Sequence, residues 1–486
     1  MYDSDIMPEY VSTRSKGDTE SKSYSDVLLE GLARDGGLYV PTEYPHLTPT
    51  QIENFAGLSY SDLFVEVKSL LVGDSMDIQT QMQLADAAYS EEKFPDTQNG
   101  NITPIIQIDD NLYIQDLSEG PTAAFKDLAL QAVGQDMNHE LNHRGGSLNI
   151  LGGTSGDTGS AAEAAVKGLG NVTLFMLSPL DGMSDFQRAQ MAALSGGNIH
   201  NIAVDEPFDH LQAKIKELNN DPEFADLGAV NSINYGRVAS QVPYYFSAYL
   251  QVKEGKVGEP VDFVVPSGNM GNALAAYIAQ KMGLPIRNII IATNENSGLD
   301  HLIQTGQYKK KPSSITSSPS MDIAVASNYE RVIHDILGGN ADLTRQYYEQ
   351  FERTGLVDFR DIDRPSNLLK AAGFDSGNSN HDKRVQTTRR VYKEAGVIID
   401  PHTADGVAVA YEKSQFEVPT ICMETALPVK FEPFMQEALG FIPERPERFK
   451  GLESVSGNEG FVVIPGGSLG TAALKDYIRN NAQPRV

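Results

Sequence analysis

The chain has 486 residues, 40% hydrophobic and 21% charged, as in an ordinary globular protein of two or three domains. Its net charge of −26 disfavours binding to nucleic acid or to an anionic membrane surface. The single cysteine, Cys422, excludes an internal disulfide, and neither a secretory signal nor a membrane-spanning apolar run is visible. We therefore expect a cytoplasmic monomer or homodimer that acts on a small molecule.

Residues 1–100 have a weak pattern of strands and helices and are predicted to form an N-terminal domain. Three later segments each combine an apolar strand, a glycine-rich turn and a helix of small residues. Their turns are at 152–159, 266–271 and 465–470. Further buried strands are predicted at 172–177, 199–204, 288–293 and 420–424. Short apolar runs that alternate with helices predict an α/β protein with parallel sheets.

Two polar stretches, 309–320 and 373–383, are predicted to be loops because they are rich in lysine, serine, glycine and asparagine. They flank a helical segment around 324–356. Together these parts form a predicted helical insertion of about 295–395.

Lys126 lies immediately before an apolar pattern that predicts a helix. The partial positive charge of a helix N-terminus and the neighbouring Phe125 both favour a neutral amine. A neutral amine is what an aldehyde cofactor requires for Schiff-base formation. The alternative interpretation is a surface lysine on an amphipathic helix.

The turns at 153–159 and 268–272 each precede a helix and therefore present converging N–H groups to an anion. Neither matches a nucleotide P-loop or a dinucleotide-binding turn. Two anion sites beside an activated lysine suit a phosphorylated cofactor and an amino-acid carboxylate.

Segments along most of the chain resemble, in order, motifs of the threonine synthase family, within fold type II of the enzymes that use pyridoxal 5'-phosphate (PLP). The segment Gly-Pro-Thr-Ala-Ala-Phe-Lys-Asp at 120–127 is similar to the cofactor-lysine motif. The other matching segments are 35–40, 154–159, 231–237, 267–272, 400–404 and 424–431.

The resemblance implies a tryptophan synthase beta-like fold with two parallel-sheet domains and an N-terminal extension. The small mobile domain would comprise 126–245, and the large PLP domain 101–125 and 246–486. It also implies conversion of O-phospho-L-homoserine and water to L-threonine and phosphate, through a PLP aldimine, γ-elimination and β-addition. The alternatives are a PLP-dependent phospholyase or dehydratase that releases 2-oxobutyrate, and a catalytically silent PLP-binding protein.

The resemblance also implies a role for each matching residue. Lys126 would hold the cofactor and act as the catalytic base. The other cofactor-binding residues would be Gly268, Asn269, Met270, Gly271 and Asn272 at the phosphate, Thr425 at the pyridine nitrogen, and Asp157 at the 3'-oxygen. The substrate-binding residues would be Thr154, Ser155, Gly156 and Thr158 at the carboxylate, and Ser232, Asn234 and Arg237 at the leaving phosphate.

Asp157 is unexpected in a loop that binds a carboxylate, because two negative charges would repel each other. We expect it either to cap the following helix or to share a proton with the cofactor oxygen.

The run His139-Glu-Leu-Asn-His143 matches the zinc-peptidase signature, which leaves a zinc peptidase as a third hypothesis. Each histidine lies two positions beyond an apolar helix position, about 200° around the helix and towards solvent. We therefore predict no metal site. His402 is interpreted as a polar residue close to the active site.

Overall fold

The computed structural model of the protein describes residues 8–17, 20–95, 97, 100–181, 183–224, 227–360, 368–455 and 458–484. Strands alternate with helices through most of these residues. In chain order the strands are β1 (Tyr10–Ser12), β2 (Tyr39–Pro41), β3 (Ile105–Asp109), β4 (Leu112–Gln115), β5 (Leu148–Gly153), β6 (Val172–Pro179), β7 (Ile199–Val204), β8 (Val261–Pro266), β9 (Ile286–Thr293), β10 (Gln307–Lys309), β11 (Leu356–Asp358), β12 (Phe374–Asn378), β13 (Thr420–Met423) and β14 (Phe461–Ile464).

The helices cover both larger sheets and form most of the N-terminal region. In chain order they are α1 (Tyr24–Glu30), α2 (Pro49–Glu53), α3 (Tyr60–Val72), α4 (Ile78–Ala88), α5 (Lys126–Arg144), α6 (Asp157–Val166), α7 (Asp185–Leu194), α8 (Phe208–Asn220), α9 (Tyr235–Ala239), α10 (Val242–Val252), α11 (Gly271–Lys281), α12 (Gly298–Thr305), α13 (Tyr329–Ile336), α14 (Ala341–Thr354), α15 (Leu368–Ala371), α16 (His381–Ala395), α17 (Pro401–Lys413), α18 (Glu432–Leu439) and α19 (Gly467–Asn481). Short 3-10 helices occur at Gly73–Ser75, Pro319–Met321, Pro428–Phe431, Glu447–Phe449 and Leu452–Ser454.

The larger sheet has six strands in the order β12-β9-β8-β13-β4-β3. Its neighbouring strands are parallel except for β3, which is antiparallel to β4 at one edge. Because β8 and β13 are parallel neighbours, the turn after β8 and the segment after β13 emerge at the same edge of the sheet. Ligand sites of open parallel sheets lie at this edge.

The smaller sheet has four parallel strands in the order β14-β7-β6-β5. All eight residues of β6 are buried, as expected for a continuous apolar strand that is covered on both faces. The buried strands predicted at 172–177, 199–204, 288–293 and 420–424 are β6, β7, β9 and β13, with ends within two residues of the prediction. The predicted α/β fold with parallel sheets is confirmed.

The prediction that 373–383 forms a loop is wrong. Residues Phe374–Asn378 form β12, which pairs in parallel with β9, and α16 begins at His381. This strand can be polar in sequence because side chains of the insertion form hydrogen bonds with its polar groups. Gln304 Nε2 donates to Ser376 O at 2.9 Å, and Ser376 Oγ donates to Asp300 Oδ1 at 2.8 Å. The insertion predicted as helical therefore also contributes an edge strand; its residues 361–367 lie outside the described residues.

The third strand–turn–helix segment joins the smaller sheet, because β14 pairs with β7 over four residues. The predicted range 246–486 assigned this segment to the large domain. We therefore propose that β14 and α19 belong with 126–245 in the small domain, and retain the other boundaries as proposals. Residues 1–7 and 485–486, at the ends of the predicted domains, lie outside the described residues.

Candidate active site

The loop before Lys126 is folded around the carboxylate of Asp127. Asp127 accepts hydrogen bonds from the Thr122 N–H at 2.8 Å and from the Thr122 hydroxyl at 2.6 Å. A Cβ on Gly120 would lie 2.5 Å from the Asp127 Cβ, so this close turn requires glycine. The loop ends with Lys126 as the first residue of α5.

This loop is attached to the segment that follows β13. The Phe125 N–H donates to Thr425 O at 2.9 Å, and the Leu427 N–H donates to Ala123 O at 3.1 Å. The predicted cofactor residues Lys126 and Thr425, which are far apart in the sequence, are thereby brought together.

The Lys126 amine is largely buried, with 12% of the side chain exposed, and its Nζ lies 3.8 Å from Asp157 Oδ2. Burial lowers the pKa of Lys126 to about 8, against the opposing effect of Asp157. The nearby cations Arg237 and Lys430 lower the pKa further. The amine is therefore half neutral at about pH 8. Burial was expected from the neighbouring Phe125, whereas the effect of the two cations was not.

Thr154 organises the predicted carboxylate loop from inside. Its Oγ1 accepts hydrogen bonds from the N–H groups of Gly156 at 2.9 Å and Gly159 at 2.8 Å, and donates to Gly156 O at 3.0 Å. Its hydroxyl is therefore used within the loop, and the predicted contact of Thr154 with substrate stays a prediction. Ser155 and Thr158 are half-buried in the same loop.

Asp157 is not a helix cap, and this expectation is wrong. Gly156 is the N-cap of α6, and the Asp157 carboxylate is held by other side chains instead. Its Oδ1 lies 2.7 Å from Lys430 Nζ and accepts from Gln187 Nε2 at 2.9 Å. Its Oδ2 accepts from the Ser320 hydroxyl at 2.7 Å. Burial would raise the pKa of Asp157, but Lys430, Lys126 and His402 together outweigh it and hold the pKa well below its usual range.

The predicted cofactor-phosphate turn connects β8 to α11. Met270, its N-cap, has a positive φ of 64° and is buried. The first N–H groups of a helix have no intrahelical partner, so the turn presents donors to an anion. Asn269 O accepts from the Asn328 N–H at 3.1 Å, which attaches the turn to the insertion. A Cβ on Gly268 would lie 2.8 Å from Ile323 Cγ1.

Asn272, in the first turn of α11, is oriented by two tyrosines of α10. The hydroxyls of Tyr244 and Tyr245 both donate to Asn272 Oδ1, at 2.7 and 2.5 Å. Because the carboxamide oxygen is occupied, the amide nitrogen is the group left to contact a ligand.

Asn234 has a structural role in the segment predicted to bind the substrate phosphate. Its Nδ2 donates to Leu28 O at 2.9 Å and to Ala229 O at 3.0 Å, while Oδ1 accepts from the Gly236 N–H. Both amide hydrogens are therefore used within the protein, and the predicted contact of Asn234 with phosphate stays a prediction. Ser232 remains half-buried, with its hydroxyl 3.2 Å from that of Ser327.

Arg237 is a buried guanidinium, 4% exposed, without a carboxylate at ion-pair distance among the described residues. Its Nη1 donates to Val230 O at 3.1 Å, and its Nε has no hydrogen-bond partner in the described part of the chain. Burial lowers the pKa of Arg237 to about 10. Buried charges are usually paired, so this arrangement indicates a site for an anion.

Sequence reasoning missed two residues at this site, Lys430 and Ser320. Lys430 lies between apolar residues in the motif 424–431, and that pattern was an available signal of burial. Ser320 had no such signal, because its contact with Asp157 depends on how the insertion folds back. The Ser320 N–H also donates to Nε2 of buried His402 at 3.0 Å, consistent with the interpretation of His402.

The zinc-peptidase motif lies on the surface of α5. His139 is half-buried and His143 is exposed, whereas Glu140 is turned inward and pairs with Arg144 at 3.2 Å. Within the described residues, no group of three histidine, cysteine, aspartate or glutamate side chains is arranged to hold a metal ion. Nor does any helix in that part of the chain have the length and apolarity needed to cross a membrane.

Comparison with known proteins gives a consistent assignment. Family models match residues 9–89 (threonine synthase N terminus), 97–347 (pyridoxal-phosphate dependent enzyme) and 403–478 (threonine synthase, C-terminal). The chain is 44% identical to threonine synthase from Methylobacillus glycogenes over 459 residues, which covers 92% of this chain and 95% of that protein. It is also 44% identical to the threonine synthase of Corynebacterium glutamicum, over 91% of this chain and 93% of that protein.

Solved structures agree with these matches. The PLP-bound threonine synthase from Brucella melitensis superimposes with a TM-score of 0.89 and 36% identity, covering 98% of this chain and all of that chain. Yeast threonine synthase gives a TM-score of 0.87 and 31% identity, with 98% and 99% covered. The chain therefore belongs to the threonine synthase family of pyridoxal-phosphate-dependent enzymes.

Proposed function

We propose that this chain converts O-phospho-L-homoserine and water to L-threonine and phosphate. The observation that carries the proposal is the buried, carboxylate-free guanidinium of Arg237, close enough to lower the pKa of Lys126. In a chain of net charge −26, a buried cation beside a lysine of lowered pKa selects an anionic substrate. When bound, PLP supplies the electron sink that stabilises negative charge on the substrate carbons.

The residues present fit this cofactor. The turn 268–272 ends at the N-terminus of α11 and suits the cofactor phosphate. Lys126 offers a largely buried amine that is partly neutral near pH 8. Thr425 would meet the pyridine nitrogen with a neutral hydroxyl, and Asp157 would stand at the 3'-oxygen.

Lys126 is then the residue that moves protons. Its amine removes the Cα proton of the substrate, serves as the base at Cβ, and returns a proton to Cα at the end. A pKa of about 8 suits both directions of transfer near neutral pH.

Arg237 and Ser232 would hold the leaving phosphate, Arg237 by a charge-assisted hydrogen bond. Ser155, Gly156 and Thr158 would bind the substrate carboxylate at the N-terminus of α6. Asn272 would direct its amide nitrogen towards the substrate.

The test supplies the purified protein with O-phospho-L-homoserine and measures threonine, 2-oxobutyrate and phosphate together. We expect threonine and phosphate in equal amounts. Release of 2-oxobutyrate and ammonia instead would identify a phospholyase. Borohydride reduction followed by tryptic mapping should place the cofactor on Lys126, and its recovery on another residue would contradict the assignment.

A pair of arginine variants tests the phosphate site. Arg237→Met should raise the KM at least about tenfold, because a hydrogen bond to a charged group contributes about 1.5–3 kcal/mol. Arg353→Met, on an exposed position of α14, is the matched control and should leave the KM unchanged. Equal KM values in both variants would remove Arg237 from the site.

The reaction requires no macromolecular partner, and we propose a cytoplasmic monomer or homodimer. A reducing compartment suits a chain whose one cysteine, Cys422, is free and buried.

A further inference from the structure

Lys430 is a buried lysine for which the proposed chemistry has no role. It lies in the 3-10 helix Pro428–Phe431 and is 1% exposed. Its Nζ lies 2.7 Å from Asp157 Oδ1 and donates to Thr122 O at 2.8 Å. An ammonium at this depth is costly unless it is paired, so its partners define its function.

Asp157 lies between two lysines at unequal distances. Lys430 makes the direct contact, whereas Lys126 Nζ is 3.8 Å from Oδ2, beyond hydrogen-bond distance. Gln187 and Ser320 each donate to one of the two carboxylate oxygens. The carboxylate is thus held by fixed partners and contacts Lys126 only at longer range.

Without Lys430, Lys126 would be the nearest cation to Asp157. An unshielded carboxylate beside the amine would favour the protonated form. A lysine that bonds an aldehyde and transfers protons must also exist as the neutral amine.

We propose that Lys430 is a positioning residue that neutralises Asp157, so that this carboxylate lies beside the Lys126 amine without holding a proton on it. The inference rests on the proposed role of Lys126 as the cofactor lysine. It also explains how an aspartate is tolerated in a loop that binds a carboxylate, because the Asp157–Lys430 pair is neutral overall.

The charged groups around the amine set the direction of the expected shift. Asp157 and Asp127 raise the pKa of Lys126, while Arg237 and Lys430 lower it; His402 additionally faces Asp157. Removing Lys430 leaves the raising effect of Asp157 opposed by burial and Arg237 alone. Removing Asp157 as well cancels that effect.

The experiment follows the visible absorbance band of the lysine-bound cofactor during a pH titration. Lys430→Met should shift the midpoint upward by about one pH unit or more, since a charge within a few ångströms moves a pKa by about 1–3 units. Lys430→Arg should stay close to the wild type. The Asp157→Asn/Lys430→Met double variant should return to within about half a unit of it.

Lys68→Met is the matched control, because Lys68 is another buried lysine paired with an aspartate, Asp136. It should not move the midpoint. In cofactor-free protein, the pH dependence of Lys126 modification by trinitrobenzenesulfonate, read by peptide mapping, should show the same upward shift for Lys430→Met.

An unchanged midpoint in Lys430→Met, or the same shift in the double variant, would overturn the inference. If Lys430→Met does not fold, the double variant is compared with the wild type, and a midpoint displaced by about one unit or more would overturn the inference. A wild-type protein that forms no visible band with PLP would contradict the proposed function itself. A normal band whose titration midpoint does not change when Lys430 is substituted would contradict only this inference.

Discussion

Arg331 and Ile233 are joined by a hydrogen bond of 2.6 Å from the guanidinium Nη2 to the main-chain oxygen. Arg331 is 1% exposed, and it also donates from Nε to Tyr39 O at 2.8 Å and from Nη1 to Asn328 Oδ1 at 2.6 Å. Ile233 directly follows Ser232. One buried side chain therefore ties the N-terminal strand β2 and the insertion to the segment proposed to bind the substrate phosphate.

Substitution of Arg331 should weaken substrate binding although Arg331 is not proposed to contact the substrate. Arg331→Met removes the donor from three acceptors, of which Tyr39 O and Asn328 Oδ1 lie in buried contacts that cost about 1–3 kcal/mol each when unpaired, and it frees the segment around Ser232. We expect a lower free energy of unfolding and a KM raised more than kcat is lowered. Steady-state kinetics and urea unfolding measure the two effects.

Arg353→Met on the adjacent helix α14 removes an exposed arginine and should change neither quantity. A stable Arg331→Met protein with wild-type KM would show that the segment is held by other contacts.

The strands that sequence analysis found are those whose burial is evident from composition, such as β6 and β7. It missed β12, because the polar groups of this strand form hydrogen bonds with Gln304 and Asp300, which lie elsewhere in the chain. Alternation of apolar residues predicts a strand that packs against an apolar core. It does not predict an edge strand whose polar groups form hydrogen bonds with side chains from elsewhere in the chain.

The candidate site also contains residues that the sequence identified and residues that it did not. Lys126 and Arg237 were identified because their residue types and motifs suggest chemistry. Lys430 was missed, because the function of a polar side chain depends on which partners the fold supplies. The motif likewise did not show that Asn234 donates its amide hydrogens to Leu28 O and Ala229 O.

The tyrosine pair on α10 should affect catalysis through Asn272. Tyr244→Phe and Tyr245→Phe each remove one hydrogen bond to Oδ1, and either remaining hydroxyl still fixes the amide. The double variant frees it to rotate. We therefore expect a loss in kcat/KM of about tenfold for the double variant that exceeds the product of the single effects.

Tyr249→Phe is the control, because Tyr249 lies on the same helix and its hydroxyl donates to Glu259 O at 3.2 Å instead. Strictly multiplicative effects in the double variant would argue against a shared role in holding Asn272.

Gly156→Ala should destabilise the carboxylate loop. Gly156 has a φ of 146°, and a Cβ there would lie 2.5 Å from the Gln187 carboxamide. Strained backbone costs about 1–3 kcal/mol, and displacement of Gln187 removes a donor from Asp157. Thermal unfolding should show a lower Tm, together with weaker substrate binding.

Gly168→Ala separates strain from contact, since Gly168 has a φ of 80° but open space around its Cβ position. It should be milder than Gly156→Ala, and equal effects would mean that backbone conformation alone is responsible.

The pKa of Lys126 also predicts how stability varies with pH in the cofactor-free protein. Burial lowers this pKa from 10.5 to about 8 in the folded state. Between these values the unfolded chain binds more protons than the folded chain, so the Lys126 contribution to stability increases as pH rises through this window. Below pH 8 the folded protein bears the full cost of a buried ammonium, up to about 3 kcal/mol for a shift of this size.

Lys126→Met should therefore be more stable than the wild type at pH 7, and the difference should shrink as the pH is raised to 9.5. Urea unfolding of both proteins across this range measures the difference in the free energy of unfolding. The contributions of titratable groups that both proteins contain cancel in this difference. Lys216→Met, at an exposed position on α8, should show a difference near zero at every pH. A Lys126→Met difference that stays constant with pH would mean that the amine keeps its ordinary pKa in the folded protein, and would remove the main physical reason for regarding Lys126 as a reactive amine.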